Sequence, residues 1–105
     1  MQNISVSQSF DKRKQNSGIP LIDVRTPAEY GTIHADGAVN HPMESLDIEK
    51  IPFPKEQEIH VICQSGGRSM KVSQKLEAAG FTNIVNVEGG TSAWHAAGFP
   101  VVEGK

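Results

Sequence analysis

Three short, nearly unbroken apolar runs limit what this chain can fold into: Leu21-Ile22-Asp23-Val24, Ile59 to Ile62, and Ile84-Val85-Asn86-Val87. Each has the length of a strand, and each leads into a segment with helical signals. A strand apolar on both faces is buried on both faces, which points to a parallel sheet covered by helices. After the first run, Thr26-Pro27-Ala28-Glu29 has the form of a helix start, with Thr26 as N-cap, Pro27 at the first helical position and Glu29 three residues past the cap. After the second, Met70, Val72, Leu76 and Ala79 share helical spacing, and Gly80 suits the position just past the helix end. After the third, Gly89-Gly90 reads as a turn and Thr91 as the cap of a last short helix carrying Ala93, Trp94 and Ala97.

The rest of the chain carries weaker signals. Val6 and Phe10 lie four apart, so a short amphipathic helix runs from about Val6 to Asn16 and is ended by Gly18. Lys12, Arg13 and Lys14 read as its solvated face or last turn, with a docking patch as the alternative. Residues 31 to 43 read as loop with a short strand around Ala38 and Val39, Met43 to Ile48 as a short helix, and Ile51-Pro52-Phe53-Pro54 as a connection that cannot be helix interior. The expectation is one α/β domain over residues 1–105, with a central, mainly parallel sheet of about five strands and helices on both faces.

In such sheets sites form at the carboxyl ends of strands. Asp23 to Arg25 stand at one such end and Cys63, the only cysteine, at another. Cys63 opens the stretch Cys63-Gln64-Ser65-Gly66-Gly67-Arg68-Ser69, between a strand and a helix. The backbone N–H groups of such a turn converge on one point and the helix adds partial positive charge there, so the thiol pKa is expected to fall. A buried structural thiol would need neither the two glycines nor the arginine close behind. Ser69 is expected to cap the following helix, with contact to the sulfur as a second option. An arginine five positions after the cysteine admits phosphoryl transfer or sulfur transfer.

The motifs resemble those of single-domain rhodaneses, and they occur in the family's order along nearly the whole chain. Leu21 to Arg25 with Glu29-Tyr30 resembles the family's first signature, and His34, Gly37-Ala38 and Pro42 its second. Cys63 to Ser69 resembles its active-site loop, and Glu88-Gly89-Gly90, Trp94 and Gly98 to Val101 its C-terminal signature. The resemblance implies a rhodanese-like fold and a sulfurtransferase in which Cys63 accepts a sulfane sulfur as a persulfide and passes it on. Gln64, Ser65, Gly66, Gly67, Arg68 and Ser69 would form the substrate and persulfide loop, with Asp23 and Arg25 in support. Donors would be thiosulfate, polysulfide or a persulfide, and acceptors cyanide or a thiol. No metal or organic cofactor is implied, and a relay to a specific protein partner is the alternative. Cysteine phosphatases, including the rhodanese-like ones, have five residues between cysteine and arginine. Here there are four, which favours sulfur over the phosphate or arsenate of the remaining alternatives. Gln64 and Ser65 are neutral where some thiosulfate-using relatives place cations. Arg68 is expected either to bind donor or to hold the loop through Asp23 or Glu29.

The remaining histidines His34, His41, His60 and His95 lack metal-ligand spacing, with His34 expected to bond backbone and Trp94 and Phe99 to pack in the core or at its edge. A net charge of -2 argues against nucleic acid or membrane surfaces as partners. A single cysteine excludes an internal disulfide and fits a reducing compartment. With no signal-peptide pattern at Met1-Gln2-Asn3-Ile4 and no long apolar run, the expected location is cytoplasmic.

Overall fold

The computed structural model describes residues 1–104. Five strands form one parallel sheet in the order β1 (Gln2–Ile4), β6 (Ile84–Val87), β5 (Ile59–Ile62), β2 (Leu21–Asp23) and β4 (Ala38–Asn40). The register sets Leu21 beside His60 and Ile59 beside Ile84. Four helices cover the sheet: α1 (Val6–Gln15), α2 (Pro27–Thr32), α3 (Gly67–Ala78) and α4 (Gly90–Ala96). Strands β3 (Ile33–Ala35) and β7 (Val101–Glu103) pair antiparallel in a separate ladder.

Pleating divides the sheet's side chains between two cores. Ile59, Val61 and Cys63 point with Ile22 and Val24 toward Val72 and Leu76 of α3. Ile62, Leu21 and Val87 point the other way, toward Val6 of α1 and Trp94 of α4, where Phe10 and Phe99 stack at 4.5 Å. Trp94 is buried and donates its indole N–H to the Pro100 carbonyl at 2.7 Å, so it is core.

The expected parallel α/β sheet with helices on both faces is present. Several details differ. Strands β1 and β3 have no apolar run to announce them, and nothing local announces the pairing of β3 with β7. Met43 to Ile48 is not one helix but part of two 3-10 turns, Met43–Ser45 and Ile48–Lys50, separated by Leu46 in extended backbone. Helix α1 ends at Asn16 in an extended conformation rather than at a glycine cap. Thr26 and Glu29 form the expected capping box, and Gly80 takes φ +100 beyond α3 while Phe81 N–H returns to Leu76 O, a Schellman closure.

On the α1 side, His60 is fully buried. Its Nδ1 lies 2.7 Å from Ser9 Oγ and its Nε2 lies 2.8 Å from Glu58 Oε2, with Lys12 3.0 Å from the same carboxylate. Burial lowers the His60 pKa below its ordinary value. The carboxylate of Glu58 opposes this less strongly, and Lys12 and Arg13 of α1 reinforce it. A neutral ring satisfies every contact: Nε2–H donates to Glu58 and Nδ1 accepts from Ser9. Because the folded pKa is depressed, this contribution to stability is complete above about pH 6.5 and is lost as pH falls toward the folded value. The melting temperature is therefore expected to decline from pH 7 to pH 5, and His60→Gln should flatten that decline. An identical slope in the variant would assign the acid sensitivity elsewhere.

Candidate functional site

The order of the sheet reverses between β2 and β5: the chain passes from β2 outward to β4, then returns to place β5 on the other side. Clefts at such reversals lie at the strands' carboxyl ends. Cys63 follows the last residue of β5 there, and Asp23 to Arg25 end β2 beside it.

The loop after Cys63 closes around its sulfur. Sγ accepts the Gly66 N–H at 3.0 Å and lies 3.4 Å from Ser69 Oγ, whose hydroxyl donates to Gly66 O at 3.1 Å. Burial pushes the Cys63 thiol up, but hydrogen bonds from the Ser69 side chain and from the N–H groups of Ser69, Gly66 and Ser65 together hold it below its ordinary value. As a thiol, Cys63 donates to Ser69. As a thiolate, it can take the Ser69 proton instead, since one hydroxyl rotation exchanges the Gly66 carbonyl for the sulfur. Ser69 thus acts on the sulfur and not as a cap. The N-cap of α3 is Gly66 at φ +116, so the helix begins at Gly67, earlier than the apolar spacing suggests. Of the two glycines only Gly66 has a backbone that excludes other residues; Gly67 is helical and a Cβ there meets nothing within 4 Å.

The polar side chains Asp23, Arg25, Gln64 and Arg68 each have a defined partner. Asp23 and Arg25 are both buried; the Arg25 Nε and Nη2 groups contact the two carboxylate oxygens at 2.8–3.2 Å, and Nη2 also donates to Ile33 O at 2.6 Å. Arg25 Nη1 donates to Gln64 Oε1 at 3.1 Å, while Gln64 Nε2 donates to Ser92 Oγ at 2.7 Å. Gln64 therefore straps the loop to β2 on one side and to α4 on the other. Of the two carboxylates considered for Arg68, Glu29 is the partner: Nη1 and Nη2 donate to Oε1 and Oε2 at 2.8 and 3.0 Å. The hydrogen bond from Arg68 is the largest influence on Glu29, whose carboxyl pKa is pulled down to about 2. Asp23 does not pair with Arg68. Ser65 lies exposed on the rim.

Helix α4 contributes in a way the sequence did not announce. Its N-cap is Gly89 at φ +81, not Thr91, and Thr91 lies within the helix. The Thr91 N–H and hydroxyl both donate to Cys63 O, at 2.8 and 3.1 Å, and Ser92 N–H donates to Gln64 O at 3.1 Å. The start of α4 thus clamps the first two carbonyls of the loop. Asn40, also unannounced, donates from Nδ2 to the Asp23 and Arg25 carbonyls at 2.9 and 3.0 Å.

His34 Nδ1 sits 2.8 Å from Tyr30 O, as a backbone bond requires. Among the described residues no group of three His, Cys, Asp or Glu side chains is placed to hold a metal ion. No helix among them is long and apolar enough to cross a membrane. Cys63 is 1% exposed, yet it does not line the cavity of about 420 Å³ bounded by Ile19, Pro20, Val39, His41 and Phe53. It lies just beneath a rim in which Gln64, Ser65 and Gly67 face solvent.

Comparison with known proteins matches residues 6–97 to the family described as Rhodanese-like domain. The chain is 32% identical over 103 residues to a protein named Sulfurtransferase from Allochromatium vinosum, covering 97% of this chain and 96% of that one. It is 38% identical over 96 residues to Thiosulfate sulfurtransferase 16, chloroplastic, from Arabidopsis thaliana, covering 80% of each. It spans 58% of the length of a further relative from Synechocystis, at 32% identity over 98% of this chain. The crystal structure of a Rhodanese-like Domain Protein from Staphylococcus aureus superposes with a TM-score of 0.81 at 33% identity, over 90% of this chain and 91% of that one.

Proposed function

The chain belongs to the rhodanese-like domain family, and on that premise we propose that it is a sulfurtransferase whose nucleophile is Cys63, with residues 1–105 working as one domain. The observation that carries the reading is the Gly66 N–H, 3.0 Å from a sulfur that Ser69 also faces. Those donors stabilise a thiolate, and they can equally stabilise the charged outer sulfur of a persulfide. In the first half-reaction the Cys63 thiolate attacks the outer sulfur of a donor. A new S–S bond forms, the donor's bond to that sulfur breaks, and its electron pair leaves with the donor remnant. In the second, cyanide or a thiol attacks the same sulfur and the electron pair returns to Cys63 as thiolate. No external oxidant or reductant is needed. Gln64, Ser65, Gly66, Gly67, Arg68 and Ser69 form the loop that surrounds the transferred sulfur, and Asp23 and Arg25 hold its flank.

A relay role, with sulfur passed to a protein partner, is favoured by one observation. The loop that covers the nucleophile is itself at the surface, with Gln64, Ser65 and Gly67 exposed, where a protein partner could dock. A nucleophilic thiol without a disulfide partner suits a reducing compartment such as the cytoplasm.

Intact mass after treatment with thiosulfate, polysulfide or glutathione persulfide is expected to show a gain of one sulfur that is lost on adding cyanide or excess thiol. No gain with any of the three would overturn the reading. The rate of thiol alkylation against pH should give a Cys63 pKa below the free-thiol value of about 8.5.

A further inference from the structure

The loop holds a nucleophile for anions, yet both arginines beside it are already matched. Arg25 is buried against Asp23, and Arg68 is engaged by both oxygens of Glu29. Glu44 also lies near enough to Arg68 to favour its charged form, adding further negative potential at the rim. The two loop residues that follow Cys63, Gln64 and Ser65, carry no charge. Lys71 lies a turn beyond Arg68 along α3, displaced from the loop by about 4.5 Å of helical rise. Within α2, Glu29 has a second task that does not depend on its charge. Glu29 already serves the Thr26 N–H at 3.1 Å as the second half of the capping box, a task that glutamine performs as well.

We propose that Glu29 is a specificity-determining residue that neutralises Arg68 and so selects hydropersulfide donors over the thiosulfate dianion. The inference rests on the sulfurtransferase reading above. With a hydropersulfide reacting in its protonated form, Cys63–S⁻ and R–S–SH give Cys63–S–S⁻ and RSH, so one negative charge is present throughout. With thiosulfate, Cys63–S⁻ and S–SO₃²⁻ give Cys63–S–S⁻ and SO₃²⁻, so three negative charges must share the pocket. The second reaction is favoured by an unpaired cation at the rim, and Glu29 engages Arg68, the loop's own cation. Removing the carboxylate charge leaves the Arg68 guanidinium without its counter-charge.

The test compares second-order rates of Cys63 persulfide formation, followed by intact mass, for thiosulfate and for a small uncharged alkyl hydropersulfide. The wild-type protein is expected to favour the hydropersulfide. In Glu29→Gln the ratio of thiosulfate to hydropersulfide rates should rise about tenfold, the scale of one newly available charge near a protein surface, and the thiosulfate rate should become more sensitive to salt. Adding Arg68→Gln to that variant should cancel the gain. A merely structural role for Glu29 would slow both donors alike and leave the ratio where it was, which overturns the proposal while the sulfurtransferase reading stands. A wild-type preference for thiosulfate overturns it as well, without recourse to any variant. Failure of both donors to load Cys63 removes the sulfurtransferase reading and this inference together.

Discussion

Cys63→Ser is expected to lower sulfur transfer by at least about 10³-fold, the range seen when a covalent nucleophile is removed. A serine hydroxyl in this position keeps a lone pair for the Gly66 N–H at the loop's centre, and the swap is close to isosteric. Stability should therefore change by no more than about 1 kcal/mol. What disappears is the ability to ionise. The donors around Sγ pull a thiol below its ordinary pKa, but an alcohol starts far above any value they can bring into the neutral range. Nor can an alkoxide accept and release sulfane sulfur as a persulfide does. The checks are thiocyanate production from cyanide, the intact mass after donor treatment, and a melting curve. Retention of even a tenth of the activity in a folded Cys63→Ser protein would show that the sulfur passes through some other group.

The second large effect is expected at Gly90. Its backbone has φ +60, and a Cβ built there would lie 2.4 Å from Cys63 O and 2.6 Å from both Gln64 C and Gln64 O. These are main-chain atoms of the loop and cannot rotate aside. Alanine must therefore push α4 away from the loop, straining the bonds from Thr91 and Ser92 to the Cys63 and Gln64 carbonyls. The left-handed backbone and the clash together should cost about 3 kcal/mol. For a domain of this size that corresponds to roughly 15 °C in melting temperature. Displacing the loop amides by a fraction of an ångström should lower kcat/KM by about 10²-fold in the protein that remains folded. Gly98→Ala is the matched control: φ is +80 there but a Cβ meets nothing within 4 Å, so only the backbone cost of about 1 kcal/mol applies. Equal effects at the two positions would mean that contact with the loop is unimportant.

The parts of this fold that can be read in the sequence are those whose signal is local. Strands β2, β5 and β6 are continuous apolar runs because helices cover both their faces. The capping box at Thr26 and the glycine closing α3 are likewise written within a few residues. Strand β1 carries only Ile4 as a buried apolar residue and exists because the edge of β6 is available to pair with it. The starts of α3 and α4 are misplaced in the sequence reading for one shared reason. Both helices begin at left-handed glycines, which supply no side-chain signal, whereas Ser69 and Thr91 look like caps. Their hydroxyls turn instead to Gly66 O beside the Cys63 sulfur and to Cys63 O. Cys63 and its loop stand out because glycines and an arginine cluster there. The identity of the Arg68 partner depends on a contact across 39 positions of chain, for which local pattern offers two candidates and no means of choosing.

The clamp from α4 ties chemistry to chain order. The carbonyls of Cys63 and Gln64 are held by groups 28 residues further along. During synthesis, Cys63 emerges from the ribosome while those groups are still inside it, and its loop lacks that clamp. Until the last helix docks, the Cys63 and Gln64 carbonyls lack these partners, and the amides around the sulfur are held less firmly. The final shape of the reactive loop is thus set late, by closure of the domain, and any excursion that undocks α4 loosens it.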